Sequence, residues 1–184
     1  VSFLLFFFFS EFSLSAQVSA TLTEDLKGIV KCTSGCTAGN TGAIGPDIYT
    51  IHDNTSLAAK PISDTDWNRV VTTLVTNMNN IFKDTASKNT EEFNQDISSW
   101  DVSNVETFQE MFYNARAFNK DIGNWDTSSA LRMIGMFNQA VAFNQNLNNW
   151  DTSSLTRLDR TFMNAHAFNN GASATESTTL SWDV

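Results

Sequence analysis

Two cysteines, two histidines and a recurrent aspartate are the residues of this chain whose types suit chemistry. Cys32 and Cys36 stand in K-C-T-S-G-C-T. In an exported protein a C-x3-C spacing fits a small disulfide loop, with free thiols, intermolecular bridges or bridges to other segments as the alternatives. Zinc needs about four ligands. The nearest histidine is His52 and no second cysteine pair follows, so no metal site is expected. His52 and His166 lie in unrelated segments, and there is no G-x-S-x-G elbow, no H-E-x-x-H and no phosphate-cradling glycine loop. Among 20 acidic residues some carboxylate pair must fall within glycosidase range, so proximity alone argues nothing. The expectation is a protein without catalytic residues or cofactor.

The informative chemistry is periodic. F93-N-Q-D-I-S-S-W-D-V-S-N-V, F118-N-K-D-I-G-N-W-D-T-S-S-A and F143-N-Q-N-L-N-N-W-D-T-S-S-L recur at one constant interval and in unbroken register. Phe93, Phe118, Phe143 and Phe168 are each followed by an asparagine: Asn94, Asn119, Asn144 and Asn169. Trp100, Trp125 and Trp150 are each followed by an aspartate, Asp101, Asp126 and Asp151. The asparagines suit an inward ladder that satisfies backbone groups at a turn, with a polar ligand row as the alternative. The aspartates suit caps ahead of a serine-led helix, with calcium binding as the alternative. The tryptophans suit packing between layers, with a sugar-stacking platform as the alternative.

A fixed period in the range of roughly 20–50 residues points to units that bury their apolar side by stacking on neighbours. Each unit divides in two. F-N-Q-D-I predicts a short strand, with Ile97, Ile122 and Leu147 in one row. Val105, Phe108, Met111 and Phe112 fall at i, i+3, i+6 and i+7, which predicts a helix, and Ser103-x-x-Glu106 has the form of its capping box. The fold class expected is therefore α/β, a right-handed leucine-rich-repeat-like solenoid of strand, turn and helix units. Its boundaries are an atypical first unit 67–92, regular units 93–117, 118–142 and 143–167, and an incomplete last unit 168–184. In that last unit Trp182 follows Phe168 at twice the spacing that separates Phe143 from Trp150, an insertion that belongs in a surface loop. The unit stops without a polar cap, so a longer natural protein is expected.

These residues resemble the BspA-type leucine-rich repeat surface proteins, whose units read roughly F-N-Q-D-I-x-x-W-D-V-S-N-V-x-x-M-x-x-M-F-x-x-A. Residues 93–115 follow that pattern almost position for position, with Phe108 where Met is more usual. The likeness extends upstream, where V75-T-N-M-N-N-I-F aligns with V105-E-T-F-Q-E-M-F before a short insertion ahead of E-F-N-Q. The lead-in 21–66, with G28-I-V-K-C and T-G-A-I-G-P-D-I-Y-T, resembles the N-terminal region of exported members. The resemblance implies a secreted or cell-surface location and a role in adhesion.

Composition agrees with export and narrows the partners. The 184 residues carry a net charge of −9 with no basic run, so nucleic acid is not an expected partner, since phosphate binding needs clustered Lys and Arg. The first nine residues, V-S-F-L-L-F-F-F-F, followed by small residues around Ala16 and Ala20, read as a signal peptide over 1–20 whose basic start is missing. Nine apolar residues are too few for a bilayer needing about 20, so no membrane span is expected in the mature chain.

Where the units differ, they differ on the helix side. Positions 106, 107, 109, 110, 113 and 116 carry Glu, Thr, Gln, Glu, Tyr and Arg, and the next two units change them all. Tyr113, Arg116, Arg132, Arg157 and Arg160 form the candidate interaction surface, because Arg and Tyr are favoured at binding hot spots. The function expected is non-catalytic adhesion or interaction with an extracellular or cell-surface protein or glycan. The alternatives are a glycan-binding module using exposed Trp or Asn rows, and a structural spacer.

Overall fold

A computed structural model describes residues 20–172. Residues 1–19 of the expected signal segment, and the last unit beyond Ala172, lie outside the described residues. The N-terminal part is built from small sheets. Strands β1 (Thr21–Glu24) and β2 (Val30–Ser34) form an antiparallel pair. Strands β3 (Thr41–Ile44) and β4 (Asp47–Ile51) form a second hairpin, to which β5 (Val70–Val71) adds in parallel. Helix α1 (Asn54–Ala59) is capped by Asp53, whose carboxylate accepts from the Ser56 backbone N–H at 2.8 Å while the Asp53 N–H donates to Ser56 Oγ. A single 3-10 turn spans Trp67–Arg69. The lead-in packs directly on the repeats: the Val30 N–H donates to the Ser99 carbonyl at 2.8 Å, and Ile29 and Leu57 join the main core.

The expected α/β solenoid of strand and helix units is not what forms. Among the described residues the only helical segments are α1 and the 3-10 turn, both before the regular repeats. The segments 93–97, 118–122 and 143–147 are not strands either, and successive units are joined by isolated parallel bridges, Asn77 to Thr107, Thr107 to Arg132 and Arg132 to Arg157. The apolar spacing marked the buried residues: Val105, Phe108, Met111 and Phe112 are all fully buried. It misjudged where their backbone groups go. Phe108, Glu110, Phe112 and Asn114 donate to Arg132, Ile134, Met136 and Asn138 of the next unit at 2.8–2.9 Å, while Met111, Tyr113 and Ala115 close tight turns on Phe108, Glu110 and Phe112. A helix would have used every one of these donors internally. Left-handed residues seal the choice: Glu110 (φ 52°) and Asn114 (φ 57°), then Gly135 (59°) and Gln139 (62°), then Arg160 (59°) and Asn164 (59°). A right-handed helix cannot pass through them.

What the units share is an aromatic interior. Phe82, Phe112, Phe137 and Phe162 stack in one column with centroids 5.4 Å apart at each step. Phe93, Phe118, Phe143 and Phe168 make a second column at 5.9–6.1 Å. The two columns meet face to face where one unit passes into the next, Phe112 to Phe118 at 4.0 Å and Phe137 to Phe143 at 4.1 Å. Trp100, Trp125 and Trp150 form the third column, nearly parallel at 6.3–6.4 Å, and Trp67 heads it at 6.0 Å. The indole N–H of each is satisfied by the unit before: Trp100 by the Trp67 carbonyl, Trp125 by Ile97 and Trp150 by Ile122, at 2.9–3.3 Å. At Gly123 the chain approaches the next unit so closely that a Cβ would sit 2.5 Å from the Asn146 carbonyl oxygen.

Replacing Trp125 by Ala should cost about 3–5 kcal/mol, the range for an emptied aromatic site, read as a loss of unfolding free energy in denaturant. Gly135→Ala should cost about 1–2 kcal/mol, because the new Cβ has room against Glu110 Cγ at 3.4 Å and only the left-handed backbone is penalised; the same titration checks it.

Candidate functional site

Three rows of polar or aromatic residues recur along the repeats, and the structure separates them. The asparagine row runs outside, not inward as expected: Asn94 and Asn119 are exposed and Asn144 and Asn169 half-buried. It does satisfy the backbone. The side-chain carbonyl of Asn94 accepts from the Asn119 N–H at 3.0 Å, Asn119 from Asn144 at 2.9 Å and Asn144 from Asn169 at 2.7 Å.

The tryptophan row is interior. Trp100, Trp125 and Trp150 are 0%, 2% and 4% exposed, so these rings offer no face on which a sugar could stack.

The aspartate row lies beside it. The carboxylates of Asp101, Asp126 and Asp151 accept from the backbone N–H of Ser103, Ser128 and Ser153 at 2.9–3.2 Å and from their hydroxyls at 2.6–2.7 Å. The serines expected to cap helices therefore serve turns, and the capping box of Ser103 and Glu106 is not formed. At Asp151 the Ser153 hydroxyl, then the Ser153 amide, hold the carboxyl below its ordinary range.

The hairpin of β1 and β2 turns this row into a cleft of about 170 Å³, lined by Asp25, Lys27 and Lys31 on one side and Asp101, Asp126 and Asp151 on the other. Asp101 is buried and faces the Lys31 ammonium at 3.7 Å. Sequence reasoning missed the hairpin's share of this cleft. Asp25, Lys27 and Lys31 reach it because Val30 bridges to Trp100, a long-range pairing with no local signal. Among the described residues no group of three or more His, Cys, Asp or Glu could hold a metal ion. Cys32 and Cys36 are joined in a disulfide at the end of β2. His52 is half-buried behind β4, its proton affinity lowered by burial and then by the Lys60 charge, while His166 is exposed. The two histidines do not meet in one site.

The candidate interaction residues occupy different positions of the repeat. Arg132 and Arg157 are neighbours in the bridge row, and exposed Arg160 follows close behind Arg157. Arg157 Nε pairs with Asp159 at 2.7 Å. Tyr113 is half-buried, covered by the Lys83 ammonium 5.0 Å from its ring centre and accepting from Gln139 Nε2 at 3.0 Å. Arg116 pairs with Glu91 at 3.1 Å in a separate row. Arg132 and Arg157 thus stand side by side, and Arg157 and Arg160 both neighbour the Asp159 carboxylate.

Residues 48–176 match a family model described as Mycoplasma protein of unknown function, DUF285. No curated protein and no solved structure matched the chain. No helix of the described residues is long and apolar enough to cross a membrane.

Because the folded state holds the Asp151 carboxyl low, its contribution to stability is complete above the ordinary carboxylate value of about 3.9 and is lost as pH falls through the folded value. Carboxyl-carbon NMR should place the Asp151 midpoint below that of an unstructured Asp, and Ser153→Ala should move it up. An unmoved midpoint would remove Ser153 as the cause.

Proposed function

Since this chain belongs to the DUF285 family, over more than half its length, we propose that it is a non-catalytic module for contact with an extracellular or cell-surface macromolecule. The observation that carries this reading is the contrast between interior and surface. The Phe and Trp columns repeat unchanged from unit to unit, while positions 107/132/157, 110/135/160 and 116/141/166 differ between units, as Thr, Arg, Arg, then Glu, Gly, Arg, then Arg, Val, His, and Arg116, Arg132, Arg157, Arg160 and His166 among them are exposed although Thr107 and Gly135 are buried. A frame that fixes geometry and leaves side chains free is how repeat proteins diversify contacts. The BspA-type pattern of the units, the apolar N-terminal block and the Cys32 to Cys36 disulfide all favour an exported protein.

Arg132, Arg157 and Arg160 are the residues of this surface best suited to a partner's acidic groups, because guanidinium engages carboxylate or sulfate in two directed hydrogen bonds. They are the local exception on a chain of net charge −9. The contact is spread over successive units instead of sunk in one pocket, so each residue contributes modestly and the whole is sensitive to salt.

The test is retention of matrix and cell-surface components on the immobilised chain, followed by the isolated partner in solution. The triple variant Arg132→Ala, Arg157→Ala, Arg160→Ala should weaken binding about tenfold or more at low salt and less at high salt, with unfolding unchanged. Equal binding by the triple variant at every salt concentration would discard this surface, and the absence of any retained component would favour a structural spacer.

A further inference from the structure

The cleft between the β1 and β2 hairpin and the repeats takes no part in the arginine contact, and its two walls carry opposite charge. The hairpin wall presents Lys27 and Lys31, and the repeat wall presents Asp126 and Asp151 beside the buried Asp101. Each wall is fixed by its own hydrogen bonds. On the hairpin, the Asp25 carboxylate accepts from the Lys27 N–H at 2.8 Å and the Ile29 N–H at 3.1 Å. Gly28, at φ 80°, donates to the Asp25 carbonyl at 3.0 Å. On the repeats, Oδ1 of Asp126 and Oδ1 of Asp151 each accept from a serine amide and hydroxyl, which leaves Oδ2 of each out of the turn. The walls do not close on each other. Among the described residues the one ion pair across the cleft joins Lys31 to Asp101 at 3.7 Å, longer than a hydrogen bond. The side chains of Ile29, Val102, Trp100 and Trp125 make up the apolar part of the lining.

We infer that this cleft binds a small zwitterion, a free α-amino acid, with its carboxylate on Lys27 and Lys31 and its ammonium on Asp126 and Asp151. A simple cation is opposed by the lysines and a simple anion by the aspartates. A dipolar ligand is favoured by both walls at once, and the apolar lining strengthens the field between them. A concave site with a few convergent polar groups held in advance is the general form of a small-molecule site. Size agrees: at about 30 Å³ per water, a cleft of about 170 Å³ takes a ligand as large as roughly five or six waters, which is one amino acid and not a polymer. The site shares no residue with the arginine contact, so either can fail without the other.

The test titrates L-leucine into the full chain, because Leu26, fully exposed between Asp25 and Lys27, is the apolar side chain next to the hairpin wall. Backbone amide shifts of Lys27, Lys31 and Asp126 and the indole signals of Trp100 and Trp125 are followed by NMR, and saturable shifts are expected at these groups. 3-Methylbutylamine, which lacks the carboxylate, and 4-methylpentanoate, which lacks the ammonium, should each bind about tenfold or more weakly. Lys27→Gln and Asp126→Asn should each weaken leucine binding by a similar factor with unfolding in denaturant unchanged, since both side chains are exposed and an amide oxygen can still accept from Ser128. No saturable shift at about 20 mM leucine would overturn the proposal. So would equal binding of the amine or the acid alone, or undiminished leucine binding by either variant.

Discussion

Face-to-face packing of the last phenylalanine of one unit on the first phenylalanine of the next, 3.9–4.1 Å apart, and of each such pair on the following pair sets the geometry to which the rest of the chain conforms. The rings step by 5.4 Å in one column and by 5.9–6.1 Å in the other. Parallel columns at that spacing leave no room for a helix in every unit, because packed helices need about 8–10 Å between axes. The chain instead runs in tight turns whose alternate amides reach across to the neighbour. The same constraint explains the tolerated insertion after Phe82. Residues 83–92 loop out, held by a bridge between Thr85 and Lys88, and return Phe93 to within 3.9 Å of Phe82. Length is free provided that the ring comes back.

A backbone without regular elements must still satisfy its polar groups, and this one does so with short side chains. The asparagine row carries one amide per unit across to the next. Asp96, Asp121 and Asn146 each accept from the amide two residues on at 2.9–3.0 Å, as do Asp101, Asp126 and Asp151 at their own turns. Buried hydroxyls do the same inside: Thr72 donates to the Asp101 carbonyl, Thr127 to Asp151 and Thr161 to Met133, at 2.8–2.9 Å. The many asparagines of the chain are in large part the means by which turns replace helix and sheet.

The surface that remains divides by charge. On the tryptophan side, carboxylates and two lysines line the cleft closed by the β1 and β2 hairpin. On the bridge side, Arg132 and Arg157 stand side by side, and Arg160 neighbours the Asp159 carboxylate with which Arg157 pairs. The side chains free to vary are those whose backbone is already fixed by its neighbours. A substitution there changes chemistry at constant geometry, and this is the property on which the proposed contact function depends.

Read alone, the sequence was enough to define the repeat, its register and the buried apolar positions, because burial leaves a periodic apolar trace, while the asparagine row expected inside lies outside. Val105, Phe108, Met111 and Phe112 are in the core for the reason their spacing indicates. The sequence could not decide between a helix and a run of cross-linked turns, since both bury i, i+3 and i+7. The decision rests on whether the Glu110 and Asn114 amides find their acceptor four residues back or one unit ahead. Trp67 was invisible as the head of the tryptophan column because its separation from Trp100 breaks the period. The hairpin's part in the cleft had no local mark at all, since it depends on Val30 meeting Ser99 and Trp100, which lie far along the chain. Burial is written into residue type, but the choice of a hydrogen-bond partner among groups of equal chemistry is made only when the units come together.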